Sequence, residues 1–188
     1  AVATAIDEEL EPEEIAEIAA GIEPTDGIFY PGIVQMNYMT GELIKSYGNA
    51  PKMIIAMFDM GGSINTVEFH SEYHGHEDSP KELLEAIDKL DVDFSPRQIA
   101  HVATLSALAN QKLVPKPHLE EIIKYSATLG ALGVNVAHSG TMVGVLFAPD
   151  ESMKHVMEAV EKIREKFPEL EYFETERLIS GGYDIEQR

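Results

Sequence analysis

The sequence contains no cysteine, so it has neither a disulfide framework nor a thiolate-ligated zinc site. No apolar run approaches the roughly 20 residues that cross a bilayer as a helix. No basic segment followed by an apolar one opens it, so the pattern of a secretory signal is missing and the cytoplasm is the expected compartment. Basic residues are scarce: 14 lysines and arginines stand against 33 aspartates and glutamates, a formal net charge of -19. Without a basic stripe nucleic acid is not an expected partner, and without a spanning apolar run neither is a membrane. Repeats and low-complexity segments are absent as well. The first residues lack an initiator methionine, an N-cap and a capping box. Ala1–Ile6 therefore reads as a helix already under way, and part of the natural protein is expected to precede it.

What is present is an ordinary apolar fraction, 44%, arranged in two periodicities. Ile15, Ile18 and Ala19 share one face of a helix that begins near Pro12 and is capped near Gly21. Glu23–Gly27 is a turn, and Ile28–Tyr38 and Glu42–Tyr47 read as strands joined by a hairpin at Thr40-Gly41. Asn49-Ala50-Pro51 looks like a boundary. Beyond it, Lys52–Met60 reads as a buried strand. Three helices follow: one capped by Ser79-Pro80 with Glu82, one by Ser95-Pro96 with Gln98 and running to about Gln111, and one opened by Pro117 and ending at Gly130. Two strands flank residues 138–141. A last amphipathic helix is capped by Asp150 or Ser152 and stopped by Pro168, and Leu170–Leu178 is a final strand. Strand, three helices, two strands, helix, strand makes an α+β sandwich of the ferredoxin-like kind.

Four stretches have residue types suited to chemistry. In Gly133–Ala148, two apolar runs enclose His138-Ser139-Gly140-Thr141, a turn whose hydroxyls and N–H groups suit an oxyanion or phosphate. The plainer reading is a hairpin in which Gly140 supplies a positive φ. Asp26, in a turn between helix and strand, could be a general base or hold a substrate hydroxyl; otherwise it is an Asx-turn residue. Asp59, followed by Gly61-Gly62-Ser63, ends a strand where ligand clefts often lie, or simply marks a bulge. His70, His74 and His76 with Glu72, Glu77 and Asp78 have metal-ligand types, but the segment is polar and turn-like, and no bound metal is expected there.

Taken together, IEPTDGIFYPG (residues 22–32) and GVNVAHSGTMVGVLF (133–147) resemble the GHMP small-molecule kinase superfamily, which includes galactokinase, homoserine kinase and mevalonate kinase. ATLSALANQKLVPKP and LGVNVAHSGT are similar to its L-threonine kinases of cobalamin synthesis and propanediol utilisation. The resemblance spans nearly the whole chain. It implies a GHMP-kinase-like fold: residues 1–50 would be the end of an N-terminal nucleotide-binding domain, and residues 51–188 the C-terminal domain. The superfamily's Pro- and Gly-rich loop, which wraps the ATP phosphates, has no counterpart here. The resemblance therefore implies a missing N-terminal segment as the chain's partner, and a chain inactive without it.

Its further implications are an ATP-dependent phosphotransferase, Mg²⁺ on the phosphates and a small-molecule acceptor, L-threonine, converted to O-phospho-L-threonine. The alternatives are homoserine or another small alcohol as acceptor, or a non-catalytic small-molecule-binding module. Asp26 matches the acidic residue near the transferred phosphate. His138, Ser139, Gly140 and Thr141 match the third signature motif, a loop lining the phosphate and substrate site. Thr25, Tyr30 and Asn135 are candidate substrate contacts. A shared site requires the Asp26 and Ser139 side chains to lie within roughly 10 Å of each other.

Overall fold

A computed structural model describes residues 10–22, 25–62, 80–91, 94–112, 114–137 and 140–181. The chain clusters into two units, Ala1–Ala50 with Ile179–Arg188, and Pro51–Leu178. The sequence reading carries the second domain to residue 188, but Ile179–Arg188 cluster with the first unit. There the Gly32 N–H donates to the Ser180 carbonyl at 2.9 Å, and the Ser180 hydroxyl donates to the Ala50 carbonyl.

In the first unit, helix α1 spans Pro12–Ala20. Proline at its first position loses no hydrogen bond, and Glu11 and Glu14 form a reciprocal capping box. Strands β1 (Ile33–Met36) and β2 (Leu43–Gly48) form an antiparallel hairpin. The expected first strand, Ile28–Tyr38, is shorter, because Gly27–Phe29 instead winds into a 3₁₀ turn. The hairpin tip lies against α1: a Cβ on Gly41 would sit 2.5 Å from the Ala16 carbonyl carbon and oxygen, and Gly41 holds φ +78°. Only glycine meets both demands.

The second unit is built on a four-stranded antiparallel sheet ordered β4-β5-β3-β6. Its strands are β3 (Ile54–Asp59), β4 (Gly133–Val136), β5 (Met142–Phe147) and β6 (Glu171–Arg177). Between β3 and β4 run α2 (Lys81–Asp88), α3 (Pro96–Asn110) and α4 (Leu119–Thr128); α5 (Met153–Lys166) joins β5 to β6. This element order and strand order are those of the expected ferredoxin-like sandwich. Alternate residues Ile54, Ala56 and Phe58 of β3 and Val143, Val145 and Phe147 of β5 bury one sheet face against Leu119 and Ile122 of α4 and Val156, Val160 and Ile163 of α5. Met53, Leu146 and Ala100 form a second, smaller cluster with α3.

Helix ends follow their capping chemistry with two exceptions. Ser95 and Gln98 make the expected reciprocal box, and the Ser152 hydroxyl accepts from the His155 N–H. Helix α2, however, has Pro80 rather than Ser79 at its N-cap. Helix α4 starts at Leu119, two residues after Pro117, because His118 takes a left-handed conformation at φ 57°. The expected helix at residues 1–6, and Ser79 itself, lie outside the described residues.

In the loop from α3 to α4, Gln111 exchanges two hydrogen bonds with the Lys116 backbone, which draws that residue inward. Lys116 is only 4% exposed, and its Nζ has no hydrogen-bond partner. Burial pushes the amine's pKa down. A depressed lysine stabilises the fold fully above 10.5 and withdraws that stability as pH falls through the folded value. We expect Lys116→Met, of similar length and without the charge, to stabilise the protein by about 1–3 kcal/mol near neutral pH. Denaturation across a pH series should show that gap narrowing as pH rises toward 10.5. A destabilised variant would mean that the ammonium is satisfied in the fold.

Candidate functional site

The first unit presents Asp26 at the N-cap of the 3₁₀ turn, on extended backbone (φ -87°, ψ 166°). Its side chain is exposed and makes no capping hydrogen bond, so the Asx-turn role is not what the carboxylate does. Beside it, the Thr25 N–H donates to the Tyr38 carbonyl at 3.0 Å, tying this turn to the hairpin. Tyr30 is 4% exposed and its hydroxyl donates to the Gly41 carbonyl at 2.8 Å. Burial, with Glu13 nearby, raises the phenol's pKa. Tyr30 lines a cavity of about 520 Å³ with Glu13, Glu17, Thr40 and Glu42. The hydroxyl proposed from sequence as a substrate contact is thus already engaged in holding the hairpin tip.

The second unit gathers its polar residues at one end of the sheet. The Ala137 N–H donates to the Met142 carbonyl at 2.9 Å and closes the β4–β5 connection. Gly140 and Thr141 are half-buried there. His138 and Ser139 lie outside the described residues, and so does the expected Asp26–Ser139 separation. Asn135 is exposed on β4, its amide oxygen filling the space that a Cβ on Gly144 would need.

Sequence reasoning treated Asp59 and Thr141 as separate features. Antiparallel register brings them together: Asp59 pairs with Met142, and the Met60 N–H donates to the Thr141 carbonyl at 3.1 Å. The Gly61 N–H donates to Asp59 Oδ1 at 2.9 Å. Hydrogen bonds from the Thr141 side chain and the Gly61 N–H hold the Asp59 carboxyl below the usual carboxylate range. The available signal was a strand ending in Asp-Met-Gly-Gly, upstream of a second apolar run that starts right after Thr141.

His70, His74 and His76 lie outside the described residues. Among the described residues no group of three or more His, Cys, Asp or Glu side chains could hold a metal ion. Nor is any described helix long and apolar enough to cross a membrane.

Residues 83–166 match the family model described as GHMP kinases C terminal. Two curated relatives are named L-threonine kinase. That of Citrobacter freundii is 22% identical over 189 residues, which take in 95% of this chain and 64% of the relative. That of Salmonella typhimurium is 24% identical over 153 residues, 78% of this chain and 51% of the relative. The chain thus spans between about half and two thirds of the length of these relatives. Among solved structures, the Methanococcus jannaschii mevalonate kinase superposes with a TM-score of 0.61 at 18% identity, over 94% of this chain and 60% of that one. The homoserine kinase from Cytophaga hutchinsonii gives 0.56 at 14% identity, over 96% and 61%. The fold is therefore GHMP-kinase-like, with helices on an antiparallel sheet. Asn135, Gly140 and Thr141 fall inside the GHMP kinase C-terminal domain match; Thr25, Asp26, Tyr30 and Asp59 precede it.

Proposed function

We propose that this chain is part of an ATP-dependent small-molecule kinase that phosphorylates the hydroxyl of L-threonine to give O-phospho-L-threonine and ADP. The observation that carries the reading is the span of the likeness to an L-threonine kinase, 95% of this chain, which extends over both units. On this reading the first unit completes a nucleotide-binding domain and the second is the C-terminal domain.

Phosphoryl transfer asks little covalent chemistry of the protein; positioning and electrostatics do most of the work. A threonine hydroxyl is a poor nucleophile until its proton has somewhere to go. Asp26 is suited to accept it, because its carboxylate is exposed and committed to no cap. The loop His138–Thr141 would line the phosphates, and Thr25 and Asn135 the acceptor. Mg²⁺ is commonly bound by one or two carboxylates together with substrate phosphates. Its charge would also offset the acidic balance of the protein around a polyphosphate.

The test is ADP release by the complete gene product with MgATP and a panel of acceptors: L-threonine, L-serine, L-homoserine and mevalonate. We expect L-threonine to give the highest kcat/KM. A preference for homoserine moves the assignment to another small-alcohol kinase. No acceptor-dependent ADP release with any of them overturns it in favour of a non-catalytic binding module. The complete product is needed because the chain spans only between about half and two thirds of the length of these relatives.

A further inference from the structure

Among the described residues, His118 is the one non-glycine position with a positive φ, 57°. It stands immediately before α4, and its ring faces carboxylates from two separate elements. Nδ1 lies 3.1 Å from Glu121 Oε1, on the first turn of α4. Nε2 lies 3.8 Å from Glu169 Oε1, in the turn between α5 and β6. The ring also rests against Phe167 of that turn, with centroids 6.2 Å apart and planes tilted by 41°. Phe167 is buried, so the turn offers a fixed surface to the imidazole. The other charged groups nearby are accounted for. Lys166 Nζ sits over the Tyr125 and Phe167 rings, at 4.1 and 5.7 Å. Glu120 pairs with Lys124 at 3.4 Å, and Lys116, two residues before His118, is buried.

An ionised carboxylate only accepts hydrogen bonds. A neutral imidazole has one N–H and one bare nitrogen, so it can serve one carboxylate and turns a lone pair on the other. Only imidazolium serves both. In the neutral ring the proton belongs at Nδ1, where the shorter contact lies. The contact that fails is then the one to Glu169, and that contact is the one joining two elements.

We propose that His118 is a proton-operated latch between the start of α4 and the α5–β6 turn, closed as imidazolium and released at Glu169 when the ring is neutral. The inference is independent of the kinase reading. The hydrogen bond to Glu121, with the charges of Glu121 and Glu169, raises the ring's pKa above 6.5 against the opposing effect of burial. A raised histidine contributes its stabilisation fully below 6.5 and loses it as pH rises through the folded value. The latch therefore opens as pH rises past neutrality. Lys116 responds in the opposite sense, weakening the fold as pH falls through its lowered value. Melting of the whole protein would mix the two, so the latch is read locally.

The experiment combines amide hydrogen exchange with an NMR titration of the His118 ring, on the complete gene product as wild type, Glu169→Gln and His118→Asn. The reporter is the Leu170 N–H, which donates to the Phe167 carbonyl at 3.0 Å within the latched turn. After correction for the intrinsic pH dependence of exchange, its protection in wild type should fall about 1.5- to 5-fold between about pH 5.5 and about pH 8.5, the range of an exposed ion pair. His118→Asn removes the ring but keeps a residue that tolerates the left-handed backbone, and the fall should vanish. It should vanish too in Glu169→Gln, because a neutral amide can donate to the bare nitrogen or accept from its protonated form. In that variant the midpoint of the His118 titration should move down toward 6.5. Protection independent of pH in wild type, a fall that persists in either variant, or an unmoved midpoint in Glu169→Gln each overturns the latch.

Discussion

Asp26→Asn lowers the L-threonine-dependent kcat of the complete gene product by about 10²–10⁴-fold, with ATP binding little changed. The size follows from what asparagine keeps and what it loses. It keeps the shape and the extended backbone at the N-cap of the 3₁₀ turn, a place asparagine occupies as readily as aspartate. No capping hydrogen bond is broken, because Asp26 makes none. The melting temperature should therefore stay within about 2 °C of wild type, since an exposed change of this kind is worth less than about 0.5 kcal/mol. What is lost is the capacity to accept a proton and the negative charge beside the acceptor hydroxyl. Steady-state kinetics with ATP-binding calorimetry check the split between kcat and affinity. Near-normal turnover would leave the exposed Asp26 carboxylate with no part in the reaction and remove the general base from the mechanism.

The largest effect on stability is expected at Gly133. This first residue of β4 lies against α3 so closely that a Cβ would enter the Ala100 carbonyl oxygen and sit 2.5 Å from Thr104 Oγ1. The Ala100 carbonyl belongs to the backbone and cannot rotate away. Thr104 also bridges the two elements: its hydroxyl donates to the Ala100 carbonyl at 2.8 Å and accepts from the Val134 N–H at 3.0 Å. β4 is at the end of the sheet order, so the helix side chain supplies the partner that a further strand would otherwise provide. Gly133→Ala must push helix and strand apart, which combines overpacking, about 1–3 kcal/mol, with the loss of that bridge, about another 1–3 kcal/mol. Thermal unfolding should drop by about 5–15 °C, at about 2–4 °C per kcal/mol for a chain of this size. A variant melting within 2 °C of wild type would mean that α3 and β4 are not in such close approach.

The elements readable from sequence were those with a local chemical cause. Ser95, Pro96 and Gln98 are a start signal written in consecutive residues, and the structure builds the capping box they spell. The apolar run at Lys52–Met60 is a strand at Ile54–Asp59 because uninterrupted apolar residues suit a strand in the middle of a sheet. Misreadings came where one local preference met a stronger neighbour. Gly27–Phe29 looks strand-forming, but a Cβ on Gly27 would sit 2.8 Å from Val34, so the turn packs under the strand instead of extending it. Pro117 looks like a first helical residue, but His118 adopts the left-handed conformation and the helix waits for Leu119.

At the candidate site, Asp26 stood out as a carboxylate in a turn, yet only the cap geometry told an uncommitted carboxylate from an Asx turn. The meeting of Asp59 with Thr141 depends on strand register between segments more than eighty residues apart in sequence. No local pattern encodes that. Likewise, nothing in Tyr30's neighbourhood of Pro and Gly announces that its hydroxyl is used by Gly41.

The pairing of Ser180 with Gly32 and Ala50 sets a timetable for synthesis. A ribosome adding about 5–20 residues per second delivers the whole of Pro51–Leu178 before it reaches Ser180, an interval of roughly 6–25 s. During that interval the second unit emerges piece by piece, its last strand β6 arriving just before Ser180, while the Gly32 N–H and the Ala50 carbonyl lack their Ser180 partner. Of the two units, the one begun earlier is thus the last to be completed, and the nascent chain carries an unfinished hairpin throughout the delay.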